Sequence, residues 1–205
     1  RYNTVIKADE ITAVRGTQEG MAHLGMAILN PGDVVLLPDP GYPVFEAGSY
    51  LGGAEVYYYP LLRENNFLPV IEDIPEDILN KTKYIVLSYP SNPVGASAPK
   101  EMYVRMIEYA KKYNFAIIND NAYSDIIFDG REGFSFLSLP GAKYVGVEFF
   151  SLSKSYNVTG LRISFCIGNK SIIDAFKLLR SQYDFGMSYP AQKAAIAALR
   201  GPRDS

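Results

Sequence analysis

The sequence predicts an α/β domain built on a mainly parallel sheet, and three observations carry that expectation. Short apolar runs alternate with longer amphipathic stretches along the whole chain. The short runs are apolar at successive positions, so such strands are covered on both faces, as in a sheet flanked by helices. Finally, 205 residues with 48% hydrophobic composition suffice for one sizeable core.

In chain order, residues 1–13 read as the end of a helix or a connection. Six apolar runs read as strands, at residues 34–37, 54–59, 84–87, 115–118, 144–150 and 162–167. Between them lie helical patterns. Residues 19–29 are stopped by Asn30-Pro31-Gly32, and residues 44–51 by Gly52-Gly53. Residues 99–113 carry Pro99 near the start and charges along one face. Residues 171–182 and 191–199 close the chain. Strand–helix alternation of this kind is the pattern of parallel βα units. No internal repeat or low-complexity tract interrupts it.

The balance of 20 basic against 22 acidic residues favours neither nucleic acid nor an anionic membrane surface. One cysteine, Cys166, excludes an internal disulfide and suits a reducing, cytoplasmic setting. One histidine, His23, argues against a histidine-rich metal site, and no metal is expected. No stretch is long and apolar enough to cross a bilayer. The chain starts without an initiator methionine and ends at Gly201-Pro202-Arg203-Asp204-Ser205, just past a helix, so a piece of a longer protein is expected.

Ligands of open α/β sheets bind beyond the carboxyl ends of the strands. The residues just beyond each apolar run are therefore informative. Asp39-Pro40-Gly41-Tyr42-Pro43 succeeds the first, Ser88-Tyr89-Pro90-Ser91-Asn92-Pro93-Val94-Gly95 the third and Asn119-Asp120-Asn121-Ala122-Tyr123 the fourth. Ser151-Leu152-Ser153-Lys154 succeeds the fifth, with Gly160-Leu161-Arg162 beyond it, and Gly16-Thr17-Gln18-Glu19-Gly20 opens the first helix. Singly, each has a plain alternative: a turn, a helix cap, a solvated carboxylate or a surface lysine. Together they supply an amine, a carboxylate, hydroxyl and amide donors, an aromatic face and an anion cradle. One ligand uses all five: an aromatic aldehyde with a ring nitrogen, a phenolic oxygen and a phosphate.

At these motifs the chain resembles the class I/II aminotransferases of pyridoxal-phosphate (PLP) fold type I. The run from Ser151 through Ser153-Lys154 to Gly160 and Arg162 is similar to their cofactor-lysine signature, with Arg162 eight positions after Lys154. Asp120-Asn121-Ala122-Tyr123 resembles their Asp-x-x-Tyr strand end, and Asn92-Pro93-Val94-Gly95 their Asn-Pro turn. The resemblance covers nearly the whole chain and is nearest to the bacterial LL-diaminopimelate, alanine and aromatic aminotransferase branches. It implies the three-layer large domain of a PLP-dependent transferase over residues 1–205, with the small domain absent.

It also implies roles. Lys154 carries the cofactor as a reversible Schiff base and then acts as general base. Asp120 pairs with the pyridine nitrogen and keeps it protonated. Tyr123 and Asn92 hydrogen-bond the phenolic oxygen, and Tyr42 stacks on the ring; a packed core tyrosine is the competing reading of Tyr42. Gly16, Thr17 and Gln18 present a helix N-terminus to the phosphate, met from the other side by Ser151, Ser153 and Arg162. Family members often have serine and lysine where this chain has Thr17 and Gln18, so Gln18 withdraws one charge.

The implied reaction moves an amino group between an α-amino acid and a 2-oxo acid, in a protein that is a homodimer when complete. Residues 184–190 lie where relatives reach across that dimer; an ordinary loop is the equal alternative. The substrate-gripping arginine belongs to the absent domain, so this chain alone is expected to bind PLP weakly or not at all and to be inactive. Two other functions use the same residues. One is a β-lyase acting on C–S bonds. The other is an aminotransferase-like effector module of a transcriptional regulator, which needs a DNA-binding segment upstream.

Overall fold

The computed structural model describes residues 2–128 and 130–202. Residue 1 and residues 203–205, which belong to the first and last segments read from the sequence, lie outside them.

The strands are β1 (Ile11–Val14), β2 (Val34–Asp39), β3 (Glu55–Pro60), β4 (Thr82–Ser88), β5 (Ala116–Asp120), β6 (Gly146–Ser151) and β7 (Ser164–Gly168). They form one sheet in the order β1-β7-β6-β5-β4-β2-β3. The β3, β2, β4, β5 and β6 strands run parallel, and β7 is antiparallel to both its neighbours, β6 and β1. This is the mainly parallel α/β architecture the alternation predicts.

The helices are α1 (Thr17–Ile28), α2 (Val44–Gly52), α3 (Glu76–Lys81), α4 (Lys100–Tyr113), α5 (Ala142–Val145), α6 (Leu152–Ser155), α7 (Lys170–Tyr183) and α8 (Tyr189–Arg200). They cover both faces. Alternation along the strands sends Leu36, Ile85, Leu87 and Ile117 to one face, where Tyr103, Met106, Ile107 and Ala110 of α4 meet them. Val35, Leu37, Val86, Ile118, Val147 and Phe149 point to the other, against Met21 and Leu24 of α1, Phe45 of α2 and Ile173 and Phe176 of α7. The α1–α2 contact depends on glycine, because a Cβ on Gly25 would collide with the Gly48 backbone.

Several local expectations are corrected. Residues 11–13, read as the end of a helix or a connection, join Val14 in β1, an edge strand that among the described residues pairs with β7 alone. Four residues including Thr12 and Ala13 carry too little alternation to announce a strand. Residues 144–145 belong to the helical turn α5 rather than to the fifth strand. Arg162 adopts the left-handed conformation (φ 52°), so the last strand starts at Ser164 and not at 162. The second apolar run forms β3 at the sheet edge, where Tyr58 is exposed, so it is not covered on both faces.

Candidate active site

The sheet topology brings the polar clusters to one edge. Asp39, Ser88, Asp120 and Ser151 end the parallel strands β2, β4, β5 and β6. The β7 strand runs the other way, so its beginning, just after Arg162, lies at that same edge, with Ser164 paired to Ser151. The end of β1 joins it through the Val14–Ser164 pair and leads through Gly16 into α1.

A cavity of 160 Å³ opens there, lined by Thr17, Gln18, Tyr42, Ala122, Tyr123, Ser151, Ser153, Lys154, Thr159 and Arg162. Lys154 is exposed to it, with Nζ 5.7 Å from the centre of the Tyr123 ring. Its placement is local. Ser151 caps α6 by accepting the Ser153 N–H at 3.1 Å, and this turn lifts Lys154 out of the sheet edge. Tyr42 meets Phe45 edge-on at 6.1 Å.

At one end of the cavity Gly16 caps α1 without any side-chain acceptor, leaving the first-turn N–H groups open. Gly16 has φ 92° and ψ 153°, a region open essentially to glycine alone. A Cβ there would strike the Arg162 guanidinium, so glycine also lets that cation lie against the helix start. Arg162 is steadied by donating to the Thr159 carbonyl at 3.2 Å, and Thr159 Oγ1 in turn donates to the Ser153 carbonyl at 3.3 Å.

The opposite requirement, a carboxylate, is met by Asp120, 8% exposed. It accepts the N–H of Ala122 at 3.2 Å, and among the described residues no cation pairs with it. Burial pushes its carboxyl up to about 6, against the pull of that one hydrogen bond. A buried carboxylate with a single donor and a helix N-terminus with a cation beside it both ask for a partner the chain does not supply. They fit a molecule with a cationic ring nitrogen and a phosphate.

Asn92 lies next door. It lines an adjoining cavity with Ser91, Pro93 and Phe128, and Tyr123 is shared between the two. Larger cavities of 320 Å³ open around Tyr89, Lys100 and Phe134 and around Phe150, Phe165 and Leu199. Neither is lined by residues of the lysine–arginine run together with the α1 N-terminus.

The N-terminal turn of α1 is braced from behind. Asp184, at the end of α7, takes Arg15 at 3.1 Å, His23 at 3.0 Å and Arg180 at 3.0 Å, and Arg15 also meets Glu19 at 2.8 Å. Burial alone would raise the Asp184 carboxyl, but its bonds with His23 and Arg180 outweigh this and hold it below its ordinary value.

Sequence reasoning passed over two groups. Thr159 lines the cavity, and its place just before Gly160 in the lysine–arginine run was the available signal. Glu148 is buried in β6 behind Asp120, and no sequence signal marks it inside an apolar run.

The profile of the family described as aminotransferase class I and II matches residues 1–205. The chain belongs to that family. An LL-diaminopimelate aminotransferase from Dehalococcoides mccartyi is 47% identical over 205 residues, 100% of this chain and 53% of its own length. The solved structure of BacF from Bacillus subtilis with substrate bound superposes with a TM-score of 0.96 at 39% identity, over 99% of this chain and 52% of that one. A probable N-succinyldiaminopimelate aminotransferase from Thermus thermophilus gives 0.94 at 33% identity, over 100% and 55%. This member of the class I and II aminotransferases thus spans about half the length of the relatives it matches.

Proposed function

We propose that residues 1–205 form the cofactor-binding large domain of a PLP-dependent aminotransferase that exchanges an amino group between an α-amino acid and a 2-oxo acid. The observation that carries this reading is the meeting, around one cavity, of the Lys154 amine and the open α1 N-terminus with Arg162 against it, while Asp120, buried and without a cation among the described residues, accepts from Ala122, which lines that cavity.

PLP, when bound, supplies an aldehyde that joins amino groups covalently and a ring that accepts electron density. The chain's residues hold and steer. Lys154 Nζ anchors the aldehyde carbon. With PLP bound, the same Nζ, when free of the aldehyde, would be placed to carry a proton between the substrate Cα and the cofactor carbon C4′. Asp120 retains a proton on the ring nitrogen by placing a buried negative charge against it. Arg162, with the N–H and hydroxyl of Thr17, the N–H of Gln18, and Ser151 and Ser153, holds the phosphate. Tyr123 and Asn92 donate to the phenolic oxygen, and Tyr42 covers the ring face.

The complete enzyme is a cytoplasmic homodimer in this reading. Tyr183, Phe185 and Tyr189 stand exposed around residues 184–190 and offer the partner an aromatic surface. Among the described residues no helix is long and apolar enough to cross a membrane. LL-diaminopimelate, the substrate named for the 47%-identical relative, is the first donor to test.

The test uses the complete polypeptide that contains this chain. Borohydride treatment in the presence of PLP, with subsequent peptide mapping, is expected to place the cofactor on Lys154, and Lys154→Ala abolishes both the adduct and amino transfer. Label on another lysine overturns the site. Pyruvate and ammonia released from a cysteine conjugate, with no amino acid formed from any 2-oxo acid, overturns the transferase reading in favour of a β-lyase.

A further inference from the structure

We infer that Glu148 is a positioning residue for the Asp120 strand end: from the opposite face of the sheet it grips both asparagines that flank Asp120. The inference rests on the PLP reading and extends it to a residue with no exposed surface.

Glu148 lies on β6 directly across from Asn119 of β5 and is 0% exposed. Its Oε1 accepts Asn119 Nδ2 at 2.9 Å, Asn121 Nδ2 at 2.6 Å and the Phe136 N–H at 3.2 Å, and its Oε2 accepts the Ser135 hydroxyl. The grip is itself supported. Tyr103 of α4 donates to Asn119 Oδ1 at 2.9 Å, and Asn121 also donates to the Phe134 carbonyl at 3.0 Å.

Side chains alternate along a strand, so the bonds that draw Asn119 and Asn121 toward Glu148 turn Asp120 to the other face, the one that α1 covers. Asn121 is also where β5 turns into Ala122-Tyr123, and its backbone N–H is tied to the Phe149 carbonyl of β6 at 2.9 Å. The carboxylate therefore fixes the residue before Asp120, the residue after it and the start of the turn that carries Tyr123.

A buried carboxylate is costly where an apolar side chain would merely pack. Burial pushes Glu148 up to about 7 despite its hydrogen bonds from Ser135, Phe136, Asn121 and Asn119. Among the described residues no cation offsets it. Its return is four converging donors, each satisfied at one point. No neutral side chain accepts from four directions with two oxygens alone: glutamine replaces one oxygen by a donor, which would face Ser135 or the asparagine amides.

The experiment compares PLP binding with folding stability in the complete polypeptide, for wild type, Glu148→Gln, Ser135→Ala and Ile85→Val. Ile85 is a core residue on the same face and serves as the stability control. Three readouts are taken: the PLP dissociation constant, the induced circular dichroism of bound PLP and the thermal midpoint. E148Q is expected to raise the dissociation constant about tenfold, the low end of what losing a supporting partner costs at a preorganised site, and to alter the induced dichroism. S135A is expected to move both the same way by less, while I85V lowers only the midpoint. E148Q and S135A that lower the midpoint but bind PLP with wild-type affinity and dichroism overturn the inference. Should E148Q fail to fold, S135A decides alone: a raised constant supports the inference and an unchanged one overturns it. A wild type that captures no PLP overturns the cofactor reading beneath it, a result separable from an unchanged E148Q beside a wild type that does.

Discussion

Asp120 and Glu148 are buried carboxylates on neighbouring strands, one on each face of the sheet, and burial raises both, to about 6 and about 7. Their surroundings differ. Glu148 accepts from four donors and is fully buried. Asp120 has one backbone donor, and the residue that donates to it lines a cavity with an amine and a cation. A raised carboxyl therefore does not by itself distinguish a structural group from a functional one. What separates them is whether the protein has satisfied the charge internally or left it for a ligand.

The largest break in this contrast is Asp120→Ala in the complete polypeptide. Losing a charge-assisted partner of the ring nitrogen is worth about 1.5–3 kcal/mol, so PLP affinity is expected to fall roughly 10- to 100-fold in an equilibrium titration. The cofactor-free protein, relieved of an uncompensated buried charge, is expected to keep or gain stability. Loss of stability with unchanged PLP affinity would make Asp120 a carboxylate that serves the fold alone.

Next comes Gly16→Ala. The position demands a conformation open to glycine, so alanine is expected to cost about 1–3 kcal/mol in urea unfolding. The added methyl also displaces the Arg162 guanidinium from the α1 N-terminus, so phosphate and PLP binding should weaken with it. A variant that loses stability but binds phosphate like wild type would separate Arg162 from the cradle.

The subtlest test is the pH dependence of the cofactor-free protein. Both carboxyls hold protons more tightly folded than unfolded, so the folded state binds more protons across the window from about 4 to about 7. The stability they contribute is thus highest below the unfolded values of 3.8 and 4.5 and is lost as pH rises through the folded ones. Each group adds a negative slope of at most about 1.4 kcal/mol per pH unit. Denaturation series at stepped pH should show a shallower fall between about pH 4 and 6 for Asp120→Asn than for wild type, and likewise for wild type saturated with PLP. Parallel slopes for wild type and the variant would mean that Asp120 already has a countercharge.

Much of the fold and of the cavity was legible in the sequence. Thr17, Tyr42, Tyr123, Ser153, Lys154 and Arg162 sit beside turn residues at strand or helix ends, where polar runs stand out against apolar ones. Other features left no trace of that kind. Glu148 sits among Val147, Phe149 and Phe150 and reads as one polar letter in a strand. The contact of Gly16 with Arg162 joins residues far apart in the chain. The β1 strand is too short to show a period and exists because β7 offers it an edge.

The sequence by itself determined the alternation of strands and helices, and with it the edge on which the polar clusters gather, because periodicity and turn chemistry act between near neighbours along the chain. Tertiary structure alone decided that β6 lies beside β5, that β7 reverses, and that Gly16 meets Arg162. Those choices fixed which carboxylate is satisfied from within and which is left open. A hydrogen bond is made by whatever group the packing brings within about 3 Å, and separation along the chain says little about that.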